Sequence, residues 1–285
     1  MDSFLEKTSP RVRVQFHTQG SSSSAEEVKI PRFGLRDVWK ACEKWSCYGV
    51  EVPLSIENFN EKVKQHYVPS LSAIQIFTIK PFADDDSSSR SSVIGSDGTG
   101  TGSAKPNPYS DYKHRFLQPE HLGYLYFQYN ETTRPSDRGP LTYKMRDLAE
   151  QHNGLNTLTN SDLSPYSWIS IAWYPIYPIP AVNSRKELSA SFLTYHSLTP
   201  CFPEKFGAGD KVNQVGKPIK PKVVLPPFAA VAYKAFGDIW IRPGTSDRQM
   251  IEMREKSASS WVETLDFTHN DLNFFMSHKN YGRRR

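Results

Sequence analysis

Between Ser167 and Pro180 the chain reads SWISIAWYPIYPIP. Alternation sends Trp168, Ser170, Ala172 and Tyr174 to one face of a strand and Ile169, Ile171 and Trp173 to the other. Both faces are largely apolar, so the strand belongs near the middle of a sheet covered on both sides. Leaving water is worth roughly 1.5 to 3 kcal/mol for each of Trp168, Ile171 and Trp173. Pro175, Pro178 and Pro180 donate no ladder hydrogen bond, so after Tyr174 the chain is expected either to leave the sheet or to follow its edge in an extended, polyproline-like path. Similar patterning predicts strands at 74–80, 123–129, 191–197, 229–236 and 239–242. Gly237-Asp238 between the last two predicts a hairpin with a type II′ turn.

Helical spacing marks three further segments. Val38, Ala41, Cys42 and Trp45 share one face, and Gly49 is placed to end that turn. Pro140 opens a second helix lined by Leu141, Met145, Leu148 and Ala149, which Asn153-Gly154 is expected to end through a left-handed residue. The third runs from about 247 to 265, with Ile251, Ala258, Val262 and Leu265 as its stripe and Trp261 widening it, so it should pack across the sheet. Strands and helices do not alternate regularly. The expected class is therefore α+β, a mixed and mostly antiparallel sheet of about six strands packed by about three helices, in a single domain over 1–285. The stretch DDDSSSRSSVIGSDGTGTGSA at 84–104 cannot bury enough apolar surface to order itself and predicts a disordered Ser/Gly/Asp insertion at about 83–108. Further flexible segments are expected at about 18–28 and 203–222, with a basic tail at 283–285. No internal repeat is present.

Composition adds limits. Aromatic residues make up 13% of the chain, so burial must rely on rings more than on aliphatic side chains. A net charge of +5 is mildly basic and falls short of a dedicated nucleic-acid binder. Lys205, Lys211, Lys217, Lys220 and Lys222 crowd one Pro- and Gly-containing loop, which reads as a solvated segment; the functional alternative is contact with phosphate or an acidic partner, weakened steeply by salt. No run approaches the roughly 20 apolar residues of a membrane helix, so no membrane insertion is expected. The start, MDSFLEKTSP, has no apolar signal region. Cys42, Cys47 and Cys201 form no metal-binding spacing and leave an odd thiol, which points to a reducing compartment and an intracellular protein, cytoplasmic or nuclear. The sequon at Asn130 would then carry no glycan.

Reactive motifs are missing: no GxSxG elbow, Walker loop, HExxH, EF-hand loop or glycine fingerprint occurs. Gly98, Gly100 and Gly102 lie in the insertion, without a strand before or a helix after them. Asp84, Asp85 and Asp86 read as a solvated acidic cap, since consecutive carboxylates on a loop rarely converge on a cation. His269-Asn270-Asp271 is similar to the HxD of some phosphotransferases, but no nucleotide loop precedes it, and Phe274-Phe275 predict a segment docked by aromatic burial. The remaining pocket candidates are Trp173 and Tyr174 near the end of one strand and Tyr195 and His196 near the end of another, since pockets open at strand ends. His196 reads first as a core histidine bonded to backbone. As a general base it would need an orienting acid such as Asp162 and a nucleophile such as Ser167. No catalytic residue, metal ligand or cofactor site is assigned.

SWISIAWYPIYPIP, with LSPYS before it and LSASFLTYHSLTP after it, resembles the signature of the plant family called domain of unknown function 789. FLEKTSP, DVWKACEKWSCYGVEVPL, HYVPSLSAIQIF, GYLYFQYNET and DFTHNDLNFF agree with it in order along nearly the whole chain. The family's pattern usually carries a basic residue where this chain has Pro178. The resemblance implies a plant protein, and the family offers no activity, cofactor or catalytic residue to carry over. Three readings follow: a non-catalytic interaction module with a protein partner, an enzyme of hydrolase type using His196 and a nearby carboxylate, and a single-stranded nucleic-acid binder using aromatic stacking.

Overall fold

Seventeen consecutive residues, Lys62–Thr78, form the strand around which the others assemble. The computed structural model describes residues 1–18, 29–45, 49–55, 62–78, 123–176, 186–199, 221–235, 239–242 and 244–278. In chain order the elements are α1 (Asp2–Lys7), β1 (Arg11–Arg13), β2 (Gln15–Thr18), β3 (Lys29–Arg32), α2 (Leu35–Glu43), β4 (Val50–Ser55), β5 (Lys62–Thr78) and β6 (Gly123–Gln128). There follow α3 (Leu141–Gln151), α4 (Gly154–Thr157), β7 (Trp168–Ile176), β8 (Ser191–Ser197), β9 (Lys222–Val224), β10 (Ala229–Tyr233), α5 (Asp247–Thr264) and α6 (Asn270–His278).

The main sheet has six strands in the order β10-β8-β7-β5-β4, with β6 also on β5, and its pairs are antiparallel. Tyr67 pairs with Val50 of β4 and Pro175 of β7, and Ala73 pairs with Gln128 of β6 and Ser170 of β7. β4 and β6 therefore lie end to end along one edge of β5, with β7 along the other. The class is α+β, as the patterning predicts, with four substantial helices.

Register shifts once, between Leu71 and Ala73. A β-bulge places two residues against one and reverses which parity of the strand faces which side. Tyr67 and Leu71 point into the same core as Ile74 and Ile76, while Ala73 and Phe77 belong to the opposite one. Ser72 is the residue left over at the bulge.

The two faces are covered differently. On one side α1 to α4 and the paired strands β1–β9 and β2–β3 pack over Ile169, Ile171, Trp173 and Phe192. On the other, α5 and α6 lay Ala258, Leu265, Leu272 and Phe275 over Trp168, Ala172, Leu193 and Tyr195. Coverage on both sides is why β7 can be buried from Trp168 to Trp173 without interruption.

Three expectations need correction. Ile239 to Arg242 is a turn and no strand, so the predicted hairpin does not form; Trp240 instead inserts into the core, 4.8 Å from the Phe192 ring and 6.2 Å from Tyr67. An apolar pattern over four residues cannot distinguish a strand from one buried anchor. β4 takes the sixth place. Of the two paths open to the chain after Tyr174 it takes the edge: β7 runs on through Pro175 to Ile176, because β8 pairs only as far as Trp173 and Pro175 sits at a local edge where no N–H is required. Helix α3 ends at an extended His152, and Gly154 starts the single turn α4 with no left-handed residue. Gly49, by contrast, has φ +68° and its N–H bonds Trp45 O at 3.0 Å, closing the turn after α2 as its position predicts.

The stretch 83–108, nearly all of 18–28 and 203–222, the tail 283–285, Gly237-Asp238 and Pro178 lie outside the described residues. Among the described residues no helix is long and apolar enough to cross a membrane.

Candidate functional site

The candidates named from sequence do not converge. Antiparallel pairing sets Trp173 against Phe192, and Tyr195 and His196 against Ser170 and Ile169, so the ends of β7 and β8 lie at opposite ends of the pair. Alternation then splits neighbours: Trp173 enters one core, and Tyr195 the other. His196 is fully buried. Its Nδ1 lies 2.9 Å from Leu225 O, a carbonyl that can only accept, so Nδ1 carries the proton. Nε2 then accepts from Thr194 Oγ1 at 3.0 Å, and Thr194 in turn accepts from Trp173 Nε1 at 2.9 Å. Burial lowers the His196 pKa to about 4, which keeps the ring neutral. Asp162 closes a capping box on Thr159, at 2.9 Å from its N–H and 2.7 Å from its hydroxyl. Ser167 Oγ donates to Phe77 O at 3.1 Å and accepts from Phe77 N at 3.0 Å. The acid and the nucleophile that His196 would need are thus both engaged by other groups. Tyr174 is half-buried beside the Phe275 ring. Burial and then the charge of Asp271 push its phenol pKa up.

A different polar cluster forms where the sequence offered only an HxD echo. Helix α5 ends in a Schellman turn: Asp266 takes φ +47°, its N–H bonds Glu263 O at 3.1 Å, and Phe267 N bonds Val262 O at 3.3 Å. The reversal lays 267–271 across the sheet, where Phe267 meets the Trp168 ring at 5.2 Å and Asn270 Nδ2 donates to Tyr129 O at 2.9 Å. This brings His269 and Asp271 over the bulge. Ser72 Oγ lies 2.5 Å from Asp271 Oδ2 and 2.9 Å from His269 Nε2, and His269 Nδ1 lies 2.6 Å from Tyr195 Oη. Arg138, just before α3, grips Asp271 from the other side at 2.7 and 2.8 Å.

One constraint fixes every proton in this chain. Asp271, although burial alone would raise its pKa, is held below the usual carboxylate range by the Arg138 guanidinium, so it is ionised and only accepts. Ser72 must then donate to Asp271, which uses its single proton. His269 Nε2 must donate to Ser72, and burial, lowering the imidazole pKa to about 4, leaves Nδ1 bare to accept from Tyr195. The direction runs from Tyr195 through His269 and Ser72 to Asp271, closed by Arg138. It differs from a nucleophilic triad, in which the acid orients the imidazole and the imidazole takes the serine proton. Ser72, Tyr195, His269 and Asp271 are all buried.

Sequence reasoning missed this cluster because its members lie far apart in the chain and because a bulge leaves no mark in a two-residue period. The one available signal was the pair of polar residues, His269 and Asp271, inside an otherwise aromatic docking segment. Among the described residues no group of His, Cys, Asp and Glu could hold a metal ion. Cys42 is a buried free thiol whose pKa burial pushes up to about 12, which removes it as a nucleophile at neutral pH.

A family model described as a protein of unknown function (DUF789) matches residues 1–275. No curated protein and no solved structure matches the chain.

Proposed function

The chain belongs to the DUF789 family, and from that premise we propose that it is a non-catalytic protein-interaction module: a sheet braced by internal polar chains, whose outer surface receives a partner protein. What supports the reading is that the side chains with reactive potential are turned inward and spent on one another. A general base must present a lone pair to substrate and a nucleophile must reach it, whereas His196, His269 and Ser72 have their hydrogen-bonding capacity taken by protein groups. The outward surface carries different chemistry. Tyr143, Tyr166, Met253 and Phe274 are exposed, and aromatic residues and methionine are the types that protein interfaces favour.

The test is affinity capture with the full-length chain, followed by binding of the purified partner by calorimetry. A partner that binds the purified protein reproducibly, with the binding unaffected by His269→Gln, supports the reading. Turnover of an ester, phosphoester or glycoside substrate that disappears in His269→Gln or His196→Asn overturns it.

A further inference from the structure

Resting on that reading, we propose that the outward face of the β1–β9 ribbon is the docking site for a segment of the partner protein phosphorylated on serine or threonine. Arg11, Arg13 and Lys222 are exposed on this face, while Val12 and Val223 turn the other way into the core. Lys222 is the last of the lysines that crowd the preceding loop in the sequence.

The ribbon holds like charges against each other. Arg13 stands directly opposite Lys222. Val14 N donates to Pro221 O at 3.1 Å and Leu225 N to Pro10 O at 2.9 Å, so the hydrogen-bonded pairs of this ribbon fall at positions 10, 12 and 14. Arg13 and Lys222 therefore form a non-hydrogen-bonded pair, the closer of the two kinds, with Cα atoms about 4.5 Å apart. Two cations there repel and oppose the pairing. Lys44, at the end of α2, brings a third, its ammonium 4.8 Å over the Trp45 ring. Burial lowers the Lys44 pKa, and the charges of Arg11, Lys222 and Lys7 add to the effect. Among the described residues Arg11 alone of these cations forms an ion pair, a loose and exposed one with Glu6 at 3.7 Å.

The choice of ligand follows from that repulsion. A phosphate monoester brings close to two negative charges and three acceptor oxygens to one point, where a carboxylate brings one charge. One such group accepts from Arg13 and Lys222 together and relieves both, and Arg clusters are a recurring means of reading phosphorylated segments. Single-stranded nucleic acid needs rings to stack on, but Trp45 beneath Lys44 is only 2% exposed. A membrane surface needs apolar side chains to take in, and Val12 and Val223 face the core. Arg11 and Arg13 stand about 7 Å apart along the strand, enough for one phosphate and its neighbours and far short of the row of phosphates on which a duplex depends.

The experiment is an array of decapeptides, each with one phosphoserine among uncharged residues, beside counterparts carrying serine or glutamate there. The array is probed with the full-length chain, and the best binder is then titrated. Expected are phosphopeptide binding at least about tenfold tighter than that of either counterpart, and a loss of at least about tenfold in Arg13→Gln and in Lys222→Gln. Each variant removes one of two opposed like charges, so its urea midpoint should stand at or above that of the wild type. Midpoints that fall in both variants would mean that the two cations do not repel, which removes the ground for an anion there. Absence of any phosphate-dependent binder overturns the proposal, as does equal binding of the glutamate peptides. Tighter binding of single-stranded RNA, duplex DNA or phosphatidylserine vesicles, lost in the same variants, overturns it too. If a captured partner protein is retained equally by wild type and by Arg13→Gln with Lys222→Gln, the interaction reading stands and the ribbon assignment alone fails.

Discussion

Asp271 receives both arms of the Arg138 guanidinium, at 2.7 and 2.8 Å, with the two side chains only 9% and 4% exposed. A buried pair of this kind gains little over a well-packed apolar pair, yet removing one partner strands the other charge. Arg138→Ala and Asp271→Ala are each expected to cost about 3 to 5 kcal/mol. The double replacement Arg138→Met with Asp271→Leu should recover part of that loss, although Ser72 then loses its acceptor. Urea unfolding of the three proteins checks this; additive single costs would mean that the pair is not coupled.

Gly49 occupies a turn with no room for a side chain. A Cβ there would collide with Tyr67 O, a backbone atom of the central strand, and φ is already +68°. The neighbouring carbonyl cannot retreat without breaking the β4–β5 pairing that begins at Val50 and Tyr67. Gly49→Ala should therefore destabilise by more than the roughly 1 kcal/mol of an unclashed left-handed alanine. A substitution that leaves the unfolding midpoint within experimental error would show that the turn can move.

Phe4 is the aromatic anchor of the amino-terminal helix, beside a buried Leu5. Phe4 is fully buried, 4.1 Å from Phe192, 5.2 Å from Tyr67 and 6.0 Å from Trp173, where it closes an aromatic cluster that also holds Trp240. Phe4→Ala is expected to cost about 3 to 5 kcal/mol, while Phe4→Leu costs considerably less. Equal losses for both would place the energy in ring geometry; no loss for either would mean that α1 is not anchored there.

These residues also show what the sequence could reveal. The two-faced burial of β7, the buried stripe of α3 and the cap at Gly49 were legible, because each follows from spacing within a short window. Phe4, Trp240 and the first twelve residues of β5 were not. A short helix and a lone buried tryptophan have no period, and Pro69 and the polar residues interrupt the strand pattern along β5. The cluster at Ser72 was further out of reach, since Ser72 meets His269 and Asp271 across nearly 200 positions of chain, at a bulge that the strand period does not mark.

Acid should weaken this fold through its two buried histidines. His196 faces only Thr194 and the Leu225 carbonyl, and His269 faces Tyr195, Ser72 and the Asp271–Arg138 pair; in the fold both pKa values are lowered to about 4. Unfolding returns each to roughly 6.5. The sign follows from proton binding: between these values the unfolded chain holds up to two more protons than the folded one, so stability is complete above about pH 6.5 and falls as the pH drops towards 4. Each histidine contributes a slope of up to about 1.4 kcal/mol per pH unit. The Asp271 contribution, whose folded pKa is lowered, is lost only as the pH falls through that lower value. His269→Gln keeps a donor for Ser72, and His196→Asn keeps one for Leu225 O, while neither titrates. Each should therefore remove about half of the slope, whatever it costs at pH 7. Urea midpoints measured from pH 7 to pH 4.5 decide it; a flat wild-type profile across that window would mean that both imidazoles take up a proton inside the fold, and half the slope that one of them does.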